Sequence, residues 1–143
     1  AIANGGSVYR PFLVRSIRRN DGLEVRVVGP HVAHRIPARD EVLGLVRQGM
    51  YEVVNGTHGT AKGARNGALS LAGKTGTAEV GDRRHPHKDT WFIGFGPVED
   101  PHYAIAILIE EGASGGRTAA PLAAAFLERW LLPDGAPVAQ GNE

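Results

Sequence analysis

The alternation of apolar and polar residues along this chain predicts a β-hairpin near its start and three strands further on. The hairpin joins an extended segment over residues 7–19 to the alternating segment Leu23–Val27 through Asn20-Asp21-Gly22, which is a strong turn signal. Glu99-Asp100-Pro101 is a short turn between the last two strands, so these two are predicted to pair antiparallel. The three later strands are predicted at about residues 69–80, 90–96 and 102–110.

Two segments show helical rather than strand periodicity. The first begins at Pro37, carries Asp40 and Glu41 in its first turn, and ends at Asn55-Gly56. A second helix is predicted from about Thr118 to Leu132. Apolar residues at steps of three or four predict the buried face of the first helix: Val42, Leu45, Val46, Met50 and Val53. The same rule predicts the core stripe of the second helix: Leu122, Phe126 and Trp130.

The order hairpin, helix, three strands and helix predicts an α+β fold, with the C-terminal helix packed on an antiparallel sheet. Ala104–Ile109 is almost wholly apolar, so this strand is predicted to be covered on both faces. Two helices are too few to cover both faces of the whole sheet, so one face is expected to be exposed in this chain. Residues 133–143 follow the helix-stopping Pro133 and are predicted to be a disordered tail.

The composition narrows the function classes without choosing one. The 143 residues include 42% hydrophobic residues and no cysteine, and they carry a formal net charge of +1. This charge provides no field for nucleic acid or for an acidic partner. The lack of cysteine excludes disulfides and thiolate zinc sites, and no pattern in the chain indicates a cofactor. No apolar run approaches the length of a membrane span.

The segment Leu71–Glu79 carries the most informative motif, Lys74-Thr75-Gly76-Thr77, within residues that favour a strand. Strand alternation places Thr75 and Thr77 on one face and Lys74 on the other. Two hydroxyls about 7 Å apart along a strand can hold one carboxylate. Gly76 removes a side chain, so that the backbone of a peptide substrate can add to the strand edge. An ordinary strand with a solvated lysine would show the same four residues.

The chain lacks the partners that usually accompany a Lys-Thr-Gly strand. In penicillin-binding proteins and class A β-lactamases this element acts beside a Ser-x-x-Lys nucleophile and a Ser-x-Asn or Ser-Asp-Asn motif. Of the four serines here, none has lysine three positions later and none has asparagine two positions later. The chain opens with Ala1-Ile2-Ala3 before Asn4-Gly5-Gly6, as in the last turn of a helix. We therefore expect a fragment of a longer protein whose nucleophile lies elsewhere.

The order of several blocks over roughly residues 1–132 resembles the C-terminal part of the transpeptidase domain of a class B penicillin-binding protein. The segments 55–61 and 109–112 resemble the cell-elongation branch, called penicillin-binding protein 2. Single blocks are not specific, but their order is. The blocks are Ala1–Gly6, Tyr9–Phe12, Gly59–Ala61, the Lys-Thr-Gly strand, Trp91–Pro97 and Ala104–Ile109.

This resemblance implies the C-terminal half of a β-lactamase/transpeptidase-like fold and a serine D,D-transpeptidase that cross-links peptidoglycan. Thr75 and Thr77 would bind the terminal carboxylate of D-Ala-D-Ala or of a β-lactam, with Gly76 between them. The Thr77 N–H would form half of the oxyanion hole, and Lys74 would supply charge and a proton path. The chain alone would be inactive.

The resemblance also implies partners and a location. The partners would be stem peptides, β-lactams, the missing N-terminal half of the domain and the cell-wall elongation machinery. The enzyme would lie on the outer face of the cytoplasmic membrane, anchored by an N-terminal segment absent from this chain. The alternatives are a β-lactam sensor or D,D-carboxypeptidase of the same fold, or a non-catalytic binding module.

Other motifs are better explained without a function. Ala68–Thr75 fits a loose phosphate-binding loop, but its interior is not glycine-rich and no helix start follows. His85, His87 and Asp89 sit in a charged loop (Asp82 to Asp89), which favours solvated side chains over a metal site. In the family that loop borders the cleft. Two further groups are predicted to have no specific function. Core positions are predicted for Trp91, Phe92 and Phe95, and solvated positions in a glycine-rich loop for Lys62 and Arg65.

Overall fold

In the computed structural model, which describes residues 1–81 and 84–132, the chain divides into two compact units, one formed by residues 1–44 and the other by the described residues from 45 onward. Antiparallel strands and helices give the expected α+β class. The predicted tail, residues 133–143, lies outside the described residues. The elements are β1 (Ser7–Arg10), β2 (Ser16–Arg18), β3 (Glu24–Val27), β4 (His31–Arg35), α1 (Asp40–Asn55), β5 (Ala72–Val80), β6 (His87–Gly96), β7 (Tyr103–Ile109) and α2 (Ala120–Leu131).

The first unit contains two small antiparallel sheets. Strands β2 and β3 pair as the predicted hairpin, and Gly22 in their turn has a φ of 85°, a conformation that glycine adopts without strain. Strand β1 pairs with β4, which sequence analysis did not predict. All five residues of β4 are exposed, so no alternation of apolar residues marks it as a strand. Pairing with β1 is what defines it.

Helix α1 ends where the sequence predicts but differs at its start and in its buried face. It begins at Asp40, three residues after Pro37. Of the predicted face, Met50 and Val53 are half-buried and Val53 packs on the core. Val42, Leu45 and Val46 are exposed, and the most buried side chains are Leu43 and Val54. Both sets have helical spacing, so the periodicity alone does not say which one is covered.

The second unit is built on the antiparallel sheet β5-β6-β7, as predicted. Phe92 is 1% exposed and lies at the centre of the core. A Cβ at Gly73 of β5 or at Gly94 of β6 would lie within 2.6 Å of its ring, so both positions need glycine to make room for it. Burial of such a side chain stabilises a fold by about 1.5–3 kcal/mol.

Helix α2 packs on this sheet, but through a different face from the one predicted. Leu122, Phe126 and Trp130 are all at least half exposed. The buried side chains are three alanines and one leucine: Ala120, Ala123, Ala124 and Leu127. Small side chains let the helix approach the sheet closely, which explains why this face rather than the bulky one is turned inward.

One face of the sheet is largely uncovered in this chain, as expected, although Phe95 and Ala72 at one end of it are buried. Trp91, Ile93 and Leu108 are 41%, 47% and 41% exposed, and the strand register places them on the face opposite Phe92. Only the other face of β7 packs against the core, through Ile105, Ile107 and Ile109. The prediction that β7 is covered on both faces was therefore wrong for this chain.

We expect this uncovered face to bind a hydrophobic dye such as anilinonaphthalene sulfonate when the chain is purified alone. Contiguous apolar surface of this kind is rare on monomeric proteins. The Trp91→Lys variant should lower the dye fluorescence, whereas Thr57→Lys at an exposed polar position should leave it unchanged. Equal fluorescence in both variants would contradict a dye site on this face.

Candidate active site

The Lys-Thr-Gly-Thr motif lies on an outer strand of the sheet. Strand β5 pairs with β6 along one edge, and among the described residues no strand pairs with its other edge. The free edge leaves backbone N–H and C=O groups of β5 open to an added peptide strand. The segment Ala68–Thr75 leads into this strand rather than into a helix, so it is not a phosphate-binding loop.

The register of the sheet fixes the direction of each side chain in the motif. Thr75 lies opposite Phe92 and Thr77 opposite Thr90, on the face that also packs against α2. Lys74 lies opposite Ile93, on the uncovered face. The predicted alternation is confirmed, although the roles of these residues stay predictions.

The lysine of the motif is exposed and already engaged with its own strand. The Lys74 ammonium donates a hydrogen bond to the backbone carbonyl of Thr75. Thr77 is exposed and Thr75 is half-buried. A cationic group and two hydroxyl groups thus lie along one accessible strand edge, which is a suitable arrangement for a peptide carboxylate.

A third threonine, Thr60, joins the site from the loop between α1 and β5. The Thr60 and Thr75 hydroxyl oxygens are 2.9 Å apart, which is hydrogen-bond distance. Gly59–Ala61 is one of the blocks that carry the family resemblance, but the sequence alone indicates no role for Thr60. The contact is between residues 15 positions apart, and no local pattern could have shown it.

Two glycines at the entry to α2 allow the backbone there to lie close to the sheet and to the loop that carries Thr60. A π-helical turn over Gly115–Ala119 leads into α2, and the Ser114 side chain caps it by accepting a hydrogen bond from Arg117 N–H. A Cβ at Gly115 would lie 2.4 Å from the Trp91 carbonyl oxygen and 2.8 Å from that of Gly76. A Cβ at Gly116 would lie 1.8 Å from the Thr60 carbonyl oxygen. Only glycine permits these two backbone contacts.

The remaining candidates have structural roles or no assigned one. Arg65 donates hydrogen bonds to the carbonyls of Asn55 and Gly56, so it caps the end of α1 rather than lying free in solvent. His87 and Asp89 belong to β6 rather than to the preceding loop, with 3.9 Å between Nε2 and Oδ1. The described part of the chain contains no group of three or more histidine, aspartate or glutamate side chains placed to hold a metal ion.

The three aromatic residues of β6 divide between core and surface. Phe92 and Phe95 are buried, as the core interpretation requires. Trp91 is not, and its side chain lies on the uncovered face of the sheet. The Arg47 guanidinium carbon lies 5.7 Å from the centre of the Phe95 ring, so Arg47 covers this ring through a cation–π contact.

Comparison with known proteins identifies relatives for nearly the whole chain. Residues 1–128 match the family described as the penicillin binding protein transpeptidase domain. The chain is 38% identical over 147 aligned residues to the peptidoglycan D,D-transpeptidase PbpA of Mycobacterium tuberculosis, covering 91% of this chain and 27% of that protein. It is 33% identical to the peptidoglycan D,D-transpeptidase MrdA of Acinetobacter baumannii, covering 91% of this chain and 20% of that protein.

A solved structure shows the same relation in three dimensions. Penicillin-binding protein A from M. tuberculosis, as a ceftriaxone acyl-enzyme complex, superposes with a TM-score of 0.78 at 35% identity. The match covers 91% of this chain and 30% of that one. This chain therefore spans about a quarter of the length of the relatives it matches.

Proposed function

The chain belongs to the penicillin-binding protein transpeptidase family, and on that premise we propose that it forms the Lys-Thr-Gly side of the active site of a peptidoglycan D,D-transpeptidase. The free edge of β5, with Lys74, Thr75 and Thr77 along it, is the observation that carries this proposal. The similarity to PbpA and MrdA proteins supports the class B assignment and the cell-elongation branch.

In this proposal the substrate stem peptide adds to the edge of β5 as an extra strand. The hydroxyls of Thr75 and Thr77 donate to the C-terminal carboxylate of D-Ala-D-Ala, and Gly76 leaves room for the peptide backbone. This places the carbonyl of the penultimate residue beside the Thr77 backbone N–H, which supplies one donor of the oxyanion hole. Lys74 contributes positive charge on the same edge.

The reaction requires a serine nucleophile from outside this chain. Its hydroxyl would attack the penultimate D-Ala carbonyl and form an ester as the peptide bond breaks and the terminal D-Ala leaves with a proton. An amine of a neighbouring stem peptide would then attack the ester, form the cross-link and release the serine. Lys74 would meet the serine of a Ser-x-Asn motif in the rest of the domain and complete the proton path.

A β-lactam would enter the same site as a substrate mimic. The ceftriaxone acyl-enzyme of the M. tuberculosis relative supports this extension, because that protein shares the fold at 35% identity. The β-lactam carboxylate would take the place of the peptide carboxylate at Thr75 and Thr77.

The proposed location is the outer face of the cytoplasmic membrane, where peptidoglycan is assembled. The elongation machinery of the cell wall is the proposed partner. Among the helices formed by residues 1–81 and 84–132, none has the length and apolar character needed to cross a bilayer.

We expect the chain alone to form no covalent adduct with penicillin, whereas a longer protein that also supplies Ser-x-x-Lys and Ser-x-Asn gains the mass of one penicillin. The reason is that a carboxylate site and one oxyanion donor can position a ligand but cannot attack it. Intact-mass spectrometry after incubation with excess benzylpenicillin measures both. A saturable mass increase on the chain alone would place the nucleophile among these residues and overturn the assignment.

The same longer protein separates transpeptidation from hydrolysis. A D-Ala-D-Ala stem peptide is incubated with and without an amine acceptor, and the products are weighed. Cross-linked product supports the proposal, whereas release of D-Ala without any cross-link would indicate a carboxypeptidase.

A further inference from the structure

We propose that Thr60 is a positioning residue for the carboxylate site: when substrate binds, Thr60 O–H donates to Thr75 Oγ, and Thr75 O–H donates to the carboxylate. The inference rests on the proposed function, since it concerns the carboxylate held at Thr75. It adds a residue from outside the Lys-Thr-Gly strand to that site.

The contact that carries the inference is the pair of hydroxyl groups 2.9 Å apart. Thr75 is half-buried on the face of β5 that packs on the core, and Thr60 is exposed at the rim of the same region. The Thr60 hydroxyl contacts Thr75 rather than Thr77, the other proposed carboxylate ligand. The support is therefore specific to one of the two ligand hydroxyls.

The backbone around Thr60 is held on several sides, which fixes the point from which its side chain extends. Ala61, the next residue, is fully buried and donates its N–H to the Val53 carbonyl at 2.9 Å. Gly116 lies directly against the Thr60 carbonyl, with no room for a Cβ. Gly59 N–H bonds to Gly56 at 3.1 Å on the other side. A residue held in this way can fix the rotamer of a flexible neighbour.

The number of hydroxyl protons available fixes the direction of the Thr60–Thr75 hydrogen bond in the complex. In the free protein either hydroxyl of the pair can be the donor. An ionised carboxylate only accepts hydrogen bonds, and a threonine hydroxyl has a single proton to donate. Once the Thr75 O–H donates its hydrogen bond to the carboxylate, Thr75 has no proton left for Thr60, so it can only accept a hydrogen bond from the Thr60 O–H. The two hydrogen bonds then run in one direction and polarise each other.

The expected effect of removing the Thr60 hydroxyl is modest and selective. A neutral hydrogen bond of this kind corresponds to roughly a fivefold change in an equilibrium or a rate. Thr75 can still donate to the carboxylate without Thr60, so removing the Thr75 hydroxyl should slow acylation more than removing the Thr60 hydroxyl. The loss should also require the ligand to carry a free carboxylate.

The test uses the full-length transpeptidase that contains this chain and measures the second-order rate of acylation by benzylpenicillin and by its methyl ester. We expect Thr60→Val to lower the rate with the acid about fivefold and to leave the rate with the ester unchanged. Thr60→Ser should retain the wild-type rate because it keeps the hydroxyl. The double variant with Thr75→Val should be no slower than Thr75→Val alone, because the two hydroxyls act as a unit.

The outcomes separate this inference from the proposed function. If Thr60→Val slows both ligands equally, or if its effect adds to that of Thr75→Val, Thr60 has only a general structural role and the inference is wrong. If Thr75→Val itself leaves acylation by the acid unchanged, the carboxylate site is misplaced and the proposed function fails with it. Melting curves check folding, and Thr60→Ala replaces Thr60→Val if the valine variant unfolds early.

Discussion

Replacing Lys74 by alanine in the full-length enzyme is expected to lower acylation by penicillin about a hundredfold or more. Lys74 is the cationic side chain of the Lys-Thr-Gly-Thr strand, and its ammonium group reaches the backbone carbonyl of Thr75, one of the two threonines that would hold the substrate carboxylate. Removing a preorganised electrostatic group from an acyl-transfer site commonly has an effect of this size. Labelling by a fluorescent penicillin, followed over time, measures the rate.

Lys62 provides the matched control for this variant. It is also an exposed lysine of the second unit, but it belongs to the short helical turn Lys62–Ala64 and not to the Lys-Thr-Gly-Thr strand. Lys62→Ala should label at the wild-type rate, and both variants should melt at the wild-type temperature. Near-normal labelling of Lys74→Ala would exclude the proposed role for the lysine.

Substitution of Gly116 by alanine is expected to destabilise the transpeptidase by about 1–3 kcal/mol and to slow acylation more than Thr60→Val does. The added Cβ would lie 1.8 Å from the Thr60 carbonyl oxygen, and both groups belong to backbone that cannot rotate away. The loop carrying Thr60 must therefore shift relative to α2, and the Thr60–Thr75 hydrogen bond shifts with it. Thermal melting and penicillin labelling measure the two effects.

The same substitution at Gly49 should have the opposite sign. Gly49 lies within α1 and has open space around its Cβ position, so alanine adds helix propensity, about 1 kcal/mol, without a clash. Gly49→Ala should raise the melting temperature and leave the labelling rate unchanged. If Gly116→Ala also melts at or above the wild-type temperature, the close backbone contact does not exist in solution.

The elements that the sequence predicts correctly are those with a local physical signal. Asn20-Asp21-Gly22 marks the β2–β3 turn because Gly22 can take a positive φ. Alternation across Lys74–Thr77 gives the side-chain directions in β5 because a strand has a period of two. Gly56 follows the last residue of α1, as glycine often does.

The predictions that were wrong concern which face of a helix or strand is buried. In α2 the bulky stripe Leu122, Phe126 and Trp130 is exposed, and Ala123 and Ala124 are buried instead. Spacing identifies a helical face, but the partner element decides whether that face is buried, and alanine contributes little to an apolar pattern. Helix α1 shows the same limit.

The sequence predicts only the part of the candidate site that lies on strand β5. Lys74, Thr75 and Thr77 are adjacent in sequence, so their arrangement follows from strand geometry. Thr60 and Gly116 reach the site through the fold, from 15 and 41 positions away from Thr75. Tertiary contacts between a loop, a strand and a helix entry leave no periodic signal in the sequence.

The two outer strands of the sheet have different consequences for aggregation. Among the described strands, β5 and β7 each have one unpaired edge, and unpaired edges are templates for pairing between molecules. Strand β5 carries Lys74 and Glu79, and charged side chains oppose such pairing. Tyr103–Ile109 carries no charge and no proline over seven residues, which is the composition of an aggregation-prone segment. Aggregates of the isolated chain should therefore grow from β7, and a lysine at Ala106 should suppress them while leaving the Lys-Thr-Gly edge intact.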